Sequence, residues 1–297
     1  MPFSVQLGLV LALATSVAAL VGFLLKHRGA IESPDVDWRR PISSSMRLFR
    51  SRAYTIGMLV AMASWGLHVG ALSLAPISLV QTVIAGGLVL LTVLADGAFS
   101  HTVTRREWIG VAMTAAGLAF LAATMSGAGG GAHADYTTAT LVFYVGLLTV
   151  AGTAAAAAGW KADGGAALVA AAAGLFWGAS DTSIKALSGS LGERGILVLA
   201  HPLALVILLL SLCGLLVSTR SLQRGRAVPV IAITSAAANV TTIAAGPIVF
   251  GEPMPAHPVG VAVRLIAFAL VIAAAALTPP PRVVDDAAAG RPVPKPA

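Results

Sequence analysis

Stretches of about 20 apolar residues recur along this chain, and short segments between them hold nearly all of its charge. A helix of that length spans the hydrocarbon core of a bilayer, and a helix satisfies its own backbone polar groups where no water is available. Composition agrees with this pattern. Of the 297 residues, 57% are hydrophobic and 10% charged, against roughly 25% charged in a soluble domain. A soluble fold of this size needs more polar surface than that, and a disordered chain needs far fewer apolar residues. The fold class expected is an all-α polytopic membrane protein.

About nine spans are read, near residues 4–25, 53–74, 76–95, 107–125, 138–159, 165–188, 195–218, 227–250 and 258–277. Proline, glycine and charge mark their ends. Only a tight turn at Ala75-Pro76 separates the second from the third. Loop charge tests the count. With the N-terminus outside, 16 of the 19 Lys and Arg fall on the cytoplasmic side, as the positive-inside rule demands. They lie between Lys26 and Arg52, at Arg105 and Arg106, at Lys161, between Arg220 and Arg226, and in the tail. A miscounted span would reverse every later loop. The expectation is a multi-pass protein of the cell membrane with its C-terminus in the cytoplasm.

Residues 1–6 carry no Lys or Arg, so the first block is expected to be a retained helix and not a signal peptide. The basic loop 26–52 either touches anionic headgroups of membrane lipid or only fixes topology. The tail 278–297 opens on Pro279-Pro280-Pro281, which ends the last helix, and is expected to be disordered. The net charge of +7 does not point to nucleic acid, because the basic residues sit in short loops with no soluble basic domain. The lone Cys213 lies in an apolar block and is expected to be a small packing residue.

An internal repeat organises the spans. Pro76 opens a block that ends at Asp96 and is followed by Gly110-Val111-Ala112; Pro229 opens one that ends at Glu252 and is followed by Gly260-Val261-Ala262. The first span ends in Lys26 and the sixth in Lys185. Spans 1–4 (residues 1–125) thus echo spans 6–9 (165–277), with a linking helix and its loops at 126–164. One odd helix between two copies inverts the second, the architecture that supports alternating access.

At these residues a family resemblance enters. The run Ala71-Leu72-Ser73-Leu74-Ala75-Pro76-Ile77-Ser78-Leu79-Val80-Gln81 resembles a signature of the drug/metabolite transporter superfamily, EamA-like. So do Glu107-Trp108-Ile109-Gly110, Gly174-Leu175-Phe176-Trp177-Gly178-Ala179-Ser180-Asp181 and Phe250-Gly251-Glu252-Pro253. That superfamily's best-known members have ten spans, and here one early helix is replaced by the basic loop. The nine-span layout is similar to the NIPA-type branch, whose members are described as magnesium transporters. His201-Pro202-Leu203 and Ile184-Lys185-Ala186-Leu187 fit that branch too. The resemblance implies a secondary transporter that moves a small solute or Mg2+ by alternating access, with spans 1, 3, 6 and 8 lining a central pocket. A fold shared by many substrates does not name one.

Ionisable and polar groups inside spans are costly and need a reason. Asp181 and Lys185 stand one helical turn apart, in the order that lets acid and base pair along one face. Either Asp181 contacts a substrate or proton, or the two form a structural ion pair. Trp177 and Ser180 lie beside them. Ser78 and Gln81 in span 3 and Asn239 in span 8 either replace a ligand's water shell or bond neighbouring helices. The candidate substrate-binding set is therefore Asp181, Gln81, Asn239, Trp177, Ser180, Lys185 and Ser78. His68 is read as a packed, hydrogen-bonded residue. Arg264 is expected to pair with Glu252 or reach the surface; Asp96 and Glu252 are expected at the interface. Gly66-xxx-Gly70 and Gly174-xxx-Gly178 are expected to let helices approach closely, and a homodimer is one assembly left open. No nucleophile–base pair, metal-ligand cluster or phosphate loop stands out, so no enzyme activity and no cofactor are expected. The remaining alternative is a membrane scaffold or partner subunit that transports nothing.

Overall fold

A computed structural model describes residues 2–31, 49–98, 105–124, 135–162, 165–191, 195–224 and 227–277. Among these the regular structure is helical: α1 (Phe3–Ile31), α2 (Arg52–Leu74), α3 (Ile77–Ala98), α4 (Arg105–Ala123), α5 (Thr138–Lys161), α6 (Ala166–Ser188), a 3-10 segment (Gly195–Ala200), α7 (Pro202–Arg224), α8 (Ala227–Val249) and α9 (Pro258–Leu277). Each expected span has its helix. The tail 278–297, most of the basic loop and the glycine run 127–131 lie outside the described residues.

Two boundaries differ from expectation for physical reasons. Helix α1 continues past its first charges to Ile31; Lys and Arg mark where a helix leaves the lipid, not where it must end. The seventh helix starts later than Gly195. Pro202 takes its first position, where the missing N–H is no loss. His201 Nδ1 accepts the Leu203 N–H at 3.2 Å and caps the start. The chain before it is wound as the short 3-10 turn.

Helices α1, α2, α5 and α6 contain stretches long and apolar enough to cross a bilayer, and among the described residues the other five carry shorter apolar stretches. Their outward faces are apolar as well. On α5, Val142, Phe143, Leu147 and Val150 are exposed while Leu141, Tyr144, Leu148 and Gly152 are buried. A belt of that kind is unfavourable against water and favourable against lipid chains. The chain is a multi-pass helical membrane protein.

Helix α6 is the centre of the packing. It lies against α5, α7, α8 and α2. Helix α1 packs on α2 and α3, α3 on α4, α8 and α9, and α4 on α9. Close approach of α6 to α8 depends on Gly174 and Gly178. A Cβ on Gly174 would stand 2.5 Å from Thr234 O and 2.6 Å from Ala237 Cβ, and one on Gly178 would collide with Thr241. The other small-residue pair does not behave as expected. Gly66 has open space where its Cβ would be, and Gly70 would make only an ordinary 3.5 Å contact with Leu11. Cys213 also departs from expectation: it is exposed on α7 and not packed inside.

Helix α5 is fastened to the bundle by Tyr144, whose Oη donates to Thr241 O at 2.6 Å. Tyr144→Phe keeps the ring and removes that bond. It is expected to lower unfolding free energy by about 0.5–1.5 kcal/mol, read from reversible unfolding in detergent micelles.

Candidate functional site

Helix α6 sorts its polar residues by face. Thr182 and Ser183 return their hydroxyls to the helix itself, at Gly178 O (2.8 Å) and Ala179 O (2.9 Å). Trp177, Ser180, Asp181 and Ile184 face a cavity of about 940 Å3. Lys185 points elsewhere.

The cavity lies between α2, α6, α7 and the 3-10 segment. Trp65 and Val69 of α2, Val198 of the 3-10 segment, and Ala204, Ile207, Leu208 and Ser211 of α7 complete much of its wall. This differs from a pocket lined by spans 1, 3, 6 and 8. Asp181 is the acidic side chain among the described lining residues. Its Oδ2 accepts a hydrogen bond from Gln81 Nε2 at 3.1 Å, and its Oδ1 stands 3.5 Å from His68 Nε2. The carboxylate is thus held by α3 and approached by α2, both from the first half of the chain. The Asp181 side chain keeps 22% exposure and the His68 side chain 12%. His68 Nε2 has no hydrogen-bond partner among the described residues. His68 therefore stands beside the carboxylate and is not simply a satisfied packing residue. Ser180 Oγ and Ser211 Oγ are 2.9 Å apart and tie α6 to α7 at the cavity wall.

The Asp181–Lys185 pairing expected from their spacing gives way to different neighbours for each. Lys185 is fully buried, and its Nζ donates to Leu72 O at 2.6 Å and Ala75 O at 2.8 Å. Those are carbonyls at the end of α2, where a helix leaves its last acceptors unbonded and its dipole negative. The carboxylate whose charge acts on Lys185 is Glu252.

Glu252 is the second correction. It is buried at 7% exposure inside the bundle. It serves the start of α3: its carboxylate accepts the Ser78 N–H at 3.4 and 3.3 Å and the Ser78 hydroxyl at close range. A helix N-terminus offers free N–H groups and positive dipole to an anion. Gly251 makes this reach feasible. Its φ of 59° is strained for any side chain, and the turn returns the Glu252 N–H to Gly246 O at 3.1 Å. Gly246 supplies the room, since a Cβ there would lie 2.7 Å from Glu252 Cδ and 3.2 Å from Ser78 Cβ. Arg264 is buried too. It donates to Pro253 O, Thr124 O and Thr124 Oγ1 (3.3 Å for the last), joining the α8–α9 turn to the end of α4.

The break at Ala75-Pro76 is therefore capped from both sides by the second half of the chain. Of the seven expected substrate residues, Asp181, Trp177 and Ser180 line the cavity and Gln81 holds Asp181. Lys185 and Ser78 belong to the capped break. Asn239 is half-buried on α8 and does not figure in the described lining. Among the described residues no three His, Cys, Asp or Glu side chains gather as a metal-ion site.

Comparison with known proteins gives one informative likeness. No protein-family profile matches the chain. No solved structure matches it either. The chain is similar to a protein of Arabidopsis thaliana described as probable magnesium transporter NIPA9, with 26% identity over 289 residues that cover 88% of this chain and 78% of the relative.

Proposed function

We propose that this chain is a secondary transporter of the drug/metabolite type that moves a small solute or Mg2+ through the Asp181 cavity. The observation that carries the reading is Asp181 itself: a carboxylate inside an apolar helical bundle, held by residues from the other half of the chain and facing about 940 Å3 of open space. The likeness to a probable magnesium transporter points the same way.

Alternating access requires two comparable halves, and the packing supports that arrangement. The α1–α2 contact has its counterpart in α6–α7, α1–α3 in α6–α8, and α3–α4 in α8–α9. A repeat relation between residues 1–125 and 165–277 accounts for all three, and the one odd helix between them would invert the second copy. Rocking of one half on the other would expose Asp181 to one side and then the other. Asp181 and Trp177 contact the solute, Gln81 orients the carboxylate, and the capped break holds the halves in register.

The test is flux in proteoliposomes, with Mg2+ followed by a trapped indicator and organic solutes by a radiolabelled panel. Asp181→Asn is expected to cut initial rates at least about tenfold, because a charge-assisted contact is lost while shape is kept. Flux indifferent to that substitution would remove the cavity from the pathway. A folded, reconstituted protein that moves neither class would leave the scaffold reading.

A further inference from the structure

The walls of the cavity say more about its cargo than the single carboxylate does. Trp177 and Asp181 stand one turn apart on α6, and Trp65 and Val69 one turn apart on α2, so two indoles and one carboxylate share the same space. The rest of the wall is mostly aliphatic, as at Ile184 and Leu187. A Cβ on Gly214 of α7 would lie 3.1 Å from Trp177 Cε2 and 3.2 Å from Cδ2, so the half-buried indole lies against bare backbone there.

We infer that the Asp181 cavity selects an organic monocation, one positive nitrogen carrying apolar substituents, in preference to Mg2+. Three features carry this. The charge count fits a neutral His68: Asp181 is the one carboxylate among the described lining residues, and with the adjacent imidazole uncharged it balances one positive charge. The aromatic content fits: alkylammonium groups are attracted to the faces of indole rings, with half-buried Trp177 the more enclosed of the two and Trp65 at 53% exposure. The size and polarity fit: pockets of a few hundred to about 1,000 Å3 with apolar walls and few polar groups suit drug-sized molecules. Magnesium asks for the reverse. It takes six oxygens in strict octahedral geometry, keeps several waters, and those waters need polar walls. Asp181, Ser180, Ser188 and Ser211 are too few oxygens for a hydrated divalent ion between Val69, Ile184 and Leu187.

This inference rests on reading the cavity as the transport site, so binding and flux are measured separately. Purified protein in micelles is titrated calorimetrically with choline, with 3,3-dimethylbutanol as its uncharged isostere, and with MgCl2. Saturable binding of the ammonium is expected, with the neutral probe at least about tenfold weaker. Millimolar Mg2+ is expected to leave the ammonium isotherm unchanged. Asp181→Asn should weaken ammonium binding at least about tenfold, and Trp177→Leu by about 2- to 30-fold. Trp65→Leu keeps the test open where either variant fails to fold. Displacement of the ammonium by Mg2+, equal affinity for the neutral probe, or binding untouched by all folded variants would overturn the proposal. Absent ammonium binding together with Asp181-dependent Mg2+ flux would overturn it while leaving the transporter reading intact. Ammonium binding that meets these expectations without flux of any solute would support the site and remove the transport role.

Discussion

Lys185→Met is expected to destabilise the protein by about 3–5 kcal/mol, the scale seen when one partner of a buried charge cluster is removed. The side chain is fully buried, so its loss strands groups that water cannot reach. Leu72 O and Ala75 O lose their donor, and Glu252 loses a charge that acts on it. Methionine fills nearly the same volume, which separates this effect from a cavity. Glu252→Gln in the same background is expected to restore part of the loss, because it removes a carboxylate charge left with Arg264 in place of two cations and keeps an acceptor for Ser78. The two changes are thus expected to cost less together than the sum of each alone. Reversible unfolding in mixed micelles, run as a double-mutant cycle, reads both numbers. A cost under about 1 kcal/mol for Lys185→Met would mean that the end of α2 does not depend on this ammonium.

The second large effect separates two motifs that look alike in sequence. Gly174→Ala is expected to cost about 1–3 kcal/mol, since overfilling a packed contact displaces its walls. Those walls are backbone atoms of α8, with Thr234 O at 2.5 Å and Ala238 N at 2.9 Å from the added methyl, and backbone cannot rotate aside. Gly66→Ala, in the other small-residue pair, meets nothing within 4 Å. It is expected to stabilise by about 0.5–1 kcal/mol, because Ala gives up less backbone freedom than Gly in a helix. Thermal unfolding of the two variants beside wild type measures the contrast. Equal shifts would mean that the α6–α8 contact is looser than these distances imply.

These pairs also show where sequence reading stops. Apolar length was enough to place the nine α-helices seen among the described residues and the turn at Ala75-Pro76, because span length is a property of a segment. Which face of a helix meets which neighbour is a property of the assembled bundle. A helix apolar all round carries no periodic signal of its buried side, so Gly66 and Gly174 read alike. The same limit hid the partner of Lys185. Spacing offered Asp181, four residues away, whereas the observed acceptors are main-chain carbonyls 113 and 110 positions distant. Asp181 itself was legible because an acid in a span demands a reason. His68 was visible as an intramembrane histidine, but its approach to Asp181 depends on α2 packing beside α6. The burial of Glu252 was hidden because it follows the end of a span; Gly251, whose backbone turns the chain inward, was the signal available.

The capped break has a consequence for how the chain is made. A ribosome delivers the end of α2 long before Lys185, 110 residues beyond Ala75, and longer still before Glu252, 174 residues beyond Ser78. Until then the carbonyls and amides of that break stand open in a half-built bundle, where the membrane interface and the insertion machinery are their only solvents. The first four helices therefore wait for the C-terminal half to supply the side-chain caps of this break.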